Sequence, residues 1–197
     1  MLTVTKANRD NAKTVTSFEL LPKDAYVVKI LGIREEQNKN GNGVHVKMSF
    51  DIAEGKYKGF YQKQYDSDQR DDKKWPNDGV FTISEPVDGS PDWMLQQWDT
   101  FWTQVEDSNP GYIFDGDEKK AKGKVFGALM CIEQSEYNGT IYDHTRIKWT
   151  RTAQDVRDNK YGKLPKDKLI KSSDSASDAL SSYDINVPEG EDEEAPF

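Results

Sequence analysis

VHVKMSFDI, residues 44–52, is the stretch on which the fold turns. Val44, Val46, Met48, Phe50 and Ile52 fall on one side of an extended chain, and His45, Lys47, Ser49 and Asp51 on the other. Strict alternation of this kind predicts a strand with one buried face and one wet face. Turn signals bracket it: NKNGNG at 38–43 before, GKYKG at 55–59 after. Its neighbours in the chain are therefore expected to be strands as well. Upstream, FELLPKDAYVVKILGI (18–33) carries a β-rich run from Tyr26 to Ile33. Its apolar residues lie on both sides, interrupted by Lys29, as in a strand buried for much of its width. Downstream, FYQKQY (60–65) predicts a third strand, with Phe60 on one side and Tyr61, Lys63 and Tyr65 on the other.

Residues 67–90 read as connector, with a short strand at Val80–Ile83. A helix is expected next, Ser90 serving as N-cap and Pro91 in the first turn. Met94, Leu95, Trp98, Phe101, Trp102 and Val105 recur at helical spacing until Asn109-Pro110-Gly111. KVFGALMCIE (124–133) then runs toward Asn138-Gly139, a type I′ turn pair, and Ile141–Arg151 returns. Three strands, a helix and two strands give the expected class: all-β with one helix, a five-stranded OB-fold Greek-key barrel (β-β-β-α-β-β) whose helix plugs the bottom. A small α+β sandwich with the same order is the competing architecture. Residues 1–17 are read as a flexible arm or an added edge strand, 18–170 as the barrel domain, and 171–197 as a disordered acidic tail.

Composition supports that division. Hydrophobic residues make up 35% and charged residues 31% of the 197, so part of the chain is expected to stay unpacked. The net charge of −8 is concentrated: from Lys171 onward eight acidic residues face that lysine alone, leaving −7 there and −1 elsewhere. The barrel domain is thus nearly neutral and open to a local basic face. A single cysteine, Cys131, excludes an internal disulfide and suits a reducing compartment. No run approaches the roughly 20 apolar residues of a membrane span, and the start of the chain shows no signal-peptide core. A soluble, cytoplasmic protein is expected.

Single strands of nucleic acid are held by cations tracking phosphates and aromatic rings stacking on bases. Tyr61, Lys63 and Tyr65 offer that mixture, extended by His45 and Lys47 and by the turn residues Lys39, Lys56, Tyr57 and Lys58. Tyr142, His144, Arg146 and Lys148 alternate on one side of the last strand, with Ile141, Ile147 and Trp149 on the other. Trp75 follows two lysines in a loop and either stacks on a base or closes the barrel top. The two histidines have no Cys or carboxylate at metal-ligand spacing, no phosphate-binding glycine loop occurs, and no serine or cysteine has a recognisable nucleophile context. Asp66, Asp68, Asp71 and Asp72 read as a solvated acidic loop. An enzyme is not expected.

The runs LPKDAYVVKI, NKNGNGVHVKMSFDIAEGKYKGF, WPNDGV and KGKVFGALM resemble a family of single-stranded DNA-binding proteins from phages of Gram-positive bacteria. The ending GEDEEAPF is similar to the acidic tip of bacterial-type single-stranded DNA-binding proteins, except that Ala195 stands where a larger aliphatic residue is usual. The resemblance implies an OB barrel, no cofactor, single-strand binding without sequence preference, and a role in the host cytoplasm during replication or recombination. It implies that Asp192, Glu193, Glu194, Ala195, Pro196 and Phe197 recruit replication or recombination proteins. A homo-oligomer is compatible with this reading. Two other readings stand beside it: a scaffold that regulates a recombinase or host protein without touching DNA, and a DNA-mimicking inhibitor.

Overall fold

A computed structural model describes residues 19–37 and 43–170. Lys39, the arm at 1–17 and the tail at 171–197 lie outside the described residues. The elements run β1 (Ala25–Gln37), β2 (Val44–Ile52), α1 (Phe60–Ser67), β3 (Val80–Ser84), α2 (Asp92–Ser108), β4 (Val125–Tyr137), β5 (Thr140–Arg151) and α3 (Ala153–Arg157). The five strands form one antiparallel sheet in the order β3-β2-β1-β4-β5.

The alternation in β2 holds for its apolar residues, but Asp51, expected on the wet face, is buried. Val46, Met48, Phe50 and Ile52 are buried in the core, together with Tyr26, Val28 and Ile30 of β1 and Phe126, Ala128 and Met130 of β4. α2 lies over this face, with Phe101, Trp102 and Val105 buried and Phe101 edge-on to Phe126 at 5.3 Å. Trp102 stacks on Phe114 at 3.9 Å, while Trp93 stands 62% exposed at the helix start. Asn138 and Gly139 both have positive φ, as the type I′ turn between β4 and β5 requires.

Four expectations need correction. FYQKQY is helix, not strand. Gly59 turns the chain at φ 72°, and Asp51, at the end of β2, accepts the backbone N–H groups of Tyr61 (2.9 Å) and Gln62 (3.1 Å). A carboxylate on the free N–H groups of a first turn stabilises a helix there. The third strand is instead β3, the short VFTIS run, so among the described residues three α-helices replace the single one expected. At α2, Pro91 occupies the cap position, and Ser90 Oγ accepts from the Val87 N–H at 2.8 Å instead of capping. Finally, the β4–β5 register slips between Leu129 and Met130, leaving Lys148 as the extra residue. The bulge places Trp149 opposite Leu129 and so on the side of Arg146, away from Ile147, which faces Met130.

The other side of the sheet is covered where β1 meets β4. α3 and the chain after it pack there over buried Val27, Leu129 and Cys131. Gly127 permits the approach: a Cβ on it would lie 2.6 Å from the Thr152 carbonyl. The chain then runs beside β4, where Lys168 exchanges backbone hydrogen bonds with Ile132 and Gln134. No helix among the described residues is long and apolar enough to cross a membrane.

Candidate nucleic-acid interface

β3 and β5 are the two edges of the sheet, and side chains of β5 join the turn that precedes β3. The turn Asn77–Gly79, which feeds β3, meets the middle of β5. Asp78 Oδ1 bonds His144 Nδ1 at 3.0 Å and pairs with Arg146 Nη2 at 3.2 Å, and Arg146 Nη1 donates to the Asn77 carbonyl at 2.6 Å. His144 Nε2 lies 2.8 Å from Ser135 Oγ. Ser135, His144 and Asp78 thus have the order of a hydrolytic triad, but Asp78 also carries Arg146 and Ser135 does not border the adjoining cleft. The group acts as a clasp across the seam.

Beside the clasp lies a cleft of about 320 Å³ between α1, the connector 68–78, β5 and the segment Glu19–Leu21. That segment is anchored at both ends of its crossing. Gln64 Nε2 donates to the Glu19 carbonyl at 2.9 Å, and Thr145 Oγ1, wholly buried, donates to the Leu21 carbonyl. Phe60, Tyr61, Tyr65 and Tyr142 supply aromatic walls, and Arg70 and Lys74, both exposed, line the cleft as well. Tyr65 rests against Trp75 with ring centres 5.7 Å apart, and Lys73 Nζ sits 4.6 Å over the Tyr65 ring. Trp75 is fixed by a 3.0 Å bond from Nε1 to the Gly79 carbonyl. Arg70 clamps Asp68 through Nε and Nη2, which holds that carboxyl down at about 2. Tyr61 is 1% exposed and its hydroxyl has no partner among the described residues. Burial pushes its phenol far above the usual range, with the charge of Asp78 adding to the rise.

The structure divides the sequence-derived candidates into three places. Tyr65, Trp75, Tyr142, His144 and Arg146 gather around the seam. Tyr61 belongs to the core, with only its cleft-facing edge contributing, so the expected Tyr61–Lys63–Tyr65 stripe is not a surface; in α1, Lys63 is exposed and turned from Tyr61. His45 and Lys47 lie elsewhere, on the outer side of β1–β2–β3. There His45 Nδ1 bonds Ser84 Oγ at 3.0 Å and Lys47 Nζ pairs with Glu36 at 2.7 Å, opposite Arg34 in the register. Lys56, Tyr57 and Lys58 form a third place at the β2–α1 turn. Tyr57 packs edge-on against Tyr26 and Phe60, and Lys56 caps its ring at 4.9 Å. Lys148 is exposed at the bulge.

Sequence reasoning missed Arg70, Gln64, Asp78 and Asp143 as cleft residues, because their convergence depends on the seam. It also missed Tyr137, 69% exposed beside the hairpin turn, whose signal was an aromatic next to Asn-Gly. No group of three or more His, Cys, Asp or Glu among the described residues is placed to hold a metal ion. No protein-family model matches the chain, and a search of curated proteins found no relative.

Proposed function

We propose that this protein binds single-stranded DNA through an OB-type barrel and recruits replication or recombination proteins through the acidic segment Asp192–Phe197. The order β3-β2-β1-β4-β5, with α2 between β3 and β4, is that of an OB barrel opened between its third and fifth strands. A fold alone does not carry a function, so the weight rests on the seam. The observation that carries the reading is the set of aromatic rings beside cations there: Tyr65, packed on Trp75 with Lys73 over its ring, shares one cleft with Tyr142, Arg70 and Lys74. Rings present stacking platforms to bases, and the lysines and arginine draw the phosphates past them. The hairpin tip with Tyr137 prolongs the platform beyond Tyr142.

Fluorescence anisotropy with a labelled single strand and its duplex tests the reading. Single strands bind more tightly, and affinity falls as salt rises, because phosphate contacts release counterions. Tyr142→Ala weakens binding about five-fold or more, since stacking on one ring is worth about 1–3 kcal/mol per base. Equal affinity for duplex and single strand refutes the proposal. Deleting Phe197 leaves oligonucleotide binding intact and abolishes capture of replication or recombination proteins; unchanged capture removes the recruitment half.

A further inference from the structure

The cleft at the seam has more chemistry than a stacking platform needs. Its volume, about 320 Å³, stands at the small end of the roughly 300–1,000 Å³ of ligand pockets. It therefore suits one planar ring system with its sugar, not a length of strand. Glu19, Asp68, Asp78 and Asp143 line it beside Arg70 and Lys74. Arg70 neutralises Asp68 and Arg146 neutralises Asp78, which leaves Glu19 and Asp143 against Lys74, so the cleft favours a neutral ring over a phosphate. The polar groups within reach are dominated by acceptors. Asp143 gives one carboxylate oxygen to Gln134 Nε2 at 2.9 Å, and its other oxygen has no partner among the described residues. Independently, the Tyr61 hydroxyl is buried at the lining without a partner. A buried polar group left unpaired is costly and marks a place where a ligand can complete the bonding.

We infer that the cleft takes a single nucleobase bearing an exocyclic amino group, splayed out of the strand, and discriminates against thymine. This rests on the single-strand reading above and names the ligand class of one position within it. The base enters between Tyr65 and Tyr142. Its amino group donates to the open oxygen of Asp143, and the backbone phosphate stays outside near Lys74. Cytosine, adenine and guanine each present an amino donor. Thymine presents carbonyl oxygens on both sides of a single N–H, and these meet carboxylates with like partial charge. The preference is local, at one base per bound protein, and leaves the rest of the contact indifferent to sequence.

The test uses the full chain with a cytidine homopolymer and a thymidine homopolymer of equal length, both weakly self-stacked, at slightly alkaline pH. The cytidine strand binds about five-fold or more tightly, the lower end of what a good base contact discriminates. Asp143→Asn, at an exposed position that keeps the bond to Gln134, brings the ratio to one or below, because with its oxygen held by Gln134 the amide turns its NH2 donor to the base, which suits thymine's carbonyls and not cytosine's amino group. Its thymidine affinity is equal to or above that of the unaltered protein, a result that general damage to the fold does not produce. Equal affinity for the two homopolymers, or a ratio unchanged by Asp143→Asn, overturns the pocket while leaving single-strand binding in place. Binding to neither homopolymer overturns the function itself, and the pocket with it.

Discussion

Replacing tyrosine by phenylalanine at two core positions has opposite consequences, and the sign follows from one hydrogen bond. Tyr61 is 1% exposed, rests edge-on against Phe50 and Phe60 at 5.5 and 5.3 Å, and holds a hydroxyl without a partner. Tyr26 is 7% exposed and its hydroxyl donates to the Pro22 carbonyl at 2.7 Å. Both phenols are pushed upward by burial and stay neutral through the ordinary working range, so ionisation does not enter. Leaving a buried hydroxyl unsatisfied costs about 1–3 kcal/mol. Tyr61→Phe removes that cost, keeps every ring contact, and opens only the space of one oxygen. A net gain of about 1–2 kcal/mol is expected after the lost contacts of that atom. In a domain of this size each kcal/mol shifts Tm by about 2–4 °C, so Tm rises by about 2–8 °C. Tyr26→Phe loses a formed bond and lowers stability by about 0.5–1.5 kcal/mol. Urea and thermal unfolding at neutral pH read both variants. A fall in Tm for Tyr61→Phe refutes the reasoning, because it requires a partner, water included, for that hydroxyl in the free protein. The same variant should also reduce the cytidine preference, a gain in stability obtained by removing a group reserved for ligand.

Gly127→Ala forces a Cβ to within 2.6 Å of the Thr152 carbonyl and 2.7 Å of Val156 Cγ2. Overpacking of that kind costs about 1–3 kcal/mol, read as a lowered denaturant midpoint; an unchanged midpoint would mean that α3 does not dock on β4. Glu118 is 8% exposed, and burial first, then Glu85, Glu35 and Asp117, raise its carboxyl above the usual range. An acid raised on folding favours the folded state below its unfolded value and loses that contribution as pH rises through the folded one. Glu118→Gln is therefore more stable than the parent near neutrality, with the difference vanishing below about pH 4 in a series of melts; a constant difference across pH disproves the linkage. Asp167 behaves in the opposite sense. The Ile132 N–H and Lys23 hold its carboxyl low, so its contribution is present at neutral pH and is lost as pH falls below the ordinary carboxylate range.

What was legible in the sequence is what nearest neighbours decide. β2, α2 and the hairpin at Asn138-Gly139 were readable because alternation, helical recurrence and a turn dipeptide act within a few residues. FYQKQY was misread for the complementary reason. Six residues with aromatics at positions 60, 61 and 65 satisfy either period, and the helix is settled by Asp51, which caps it from the end of another element. The bulge at Lys148 is likewise invisible locally: one extra residue moves Trp149 to the other face without altering the composition of the strand. Tyr65, Trp75, Tyr142 and His144 were found as residue types suited to stacking and phosphate contact. Their meeting place was not found, since it depends on which edges of the sheet come together.

That meeting place follows from the element that was misassigned. Had residues 60–65 continued the meander, a strand would lie where β5 now has none. Instead α1 and the connector consume the chain up to Gly79, and β3 is left with five residues. Among the described residues β5 pairs in the sheet with β4 alone. From His144 to Arg146 it is tied by its side chains, not by a backbone ladder, to Leu21, Asn77 and Asp78. A ladder holds strands about 4.7–4.9 Å apart and leaves no room between them. Side chains alone join β5 to the turn before β3, and the cleft lies beside that join, between β5, α1 and the connector. Gly79 permits the close packing beside the cleft: a Cβ there would lie 2.6 Å from Trp75 Nε1 and 3.0 Å from the Tyr61 ring. The residue that ends the connector thus fixes both the indole beneath Tyr65 and the phenol at the lining. The shape of the proposed base site and the incomplete closure of the sheet therefore have one cause, the helix at Phe60–Ser67.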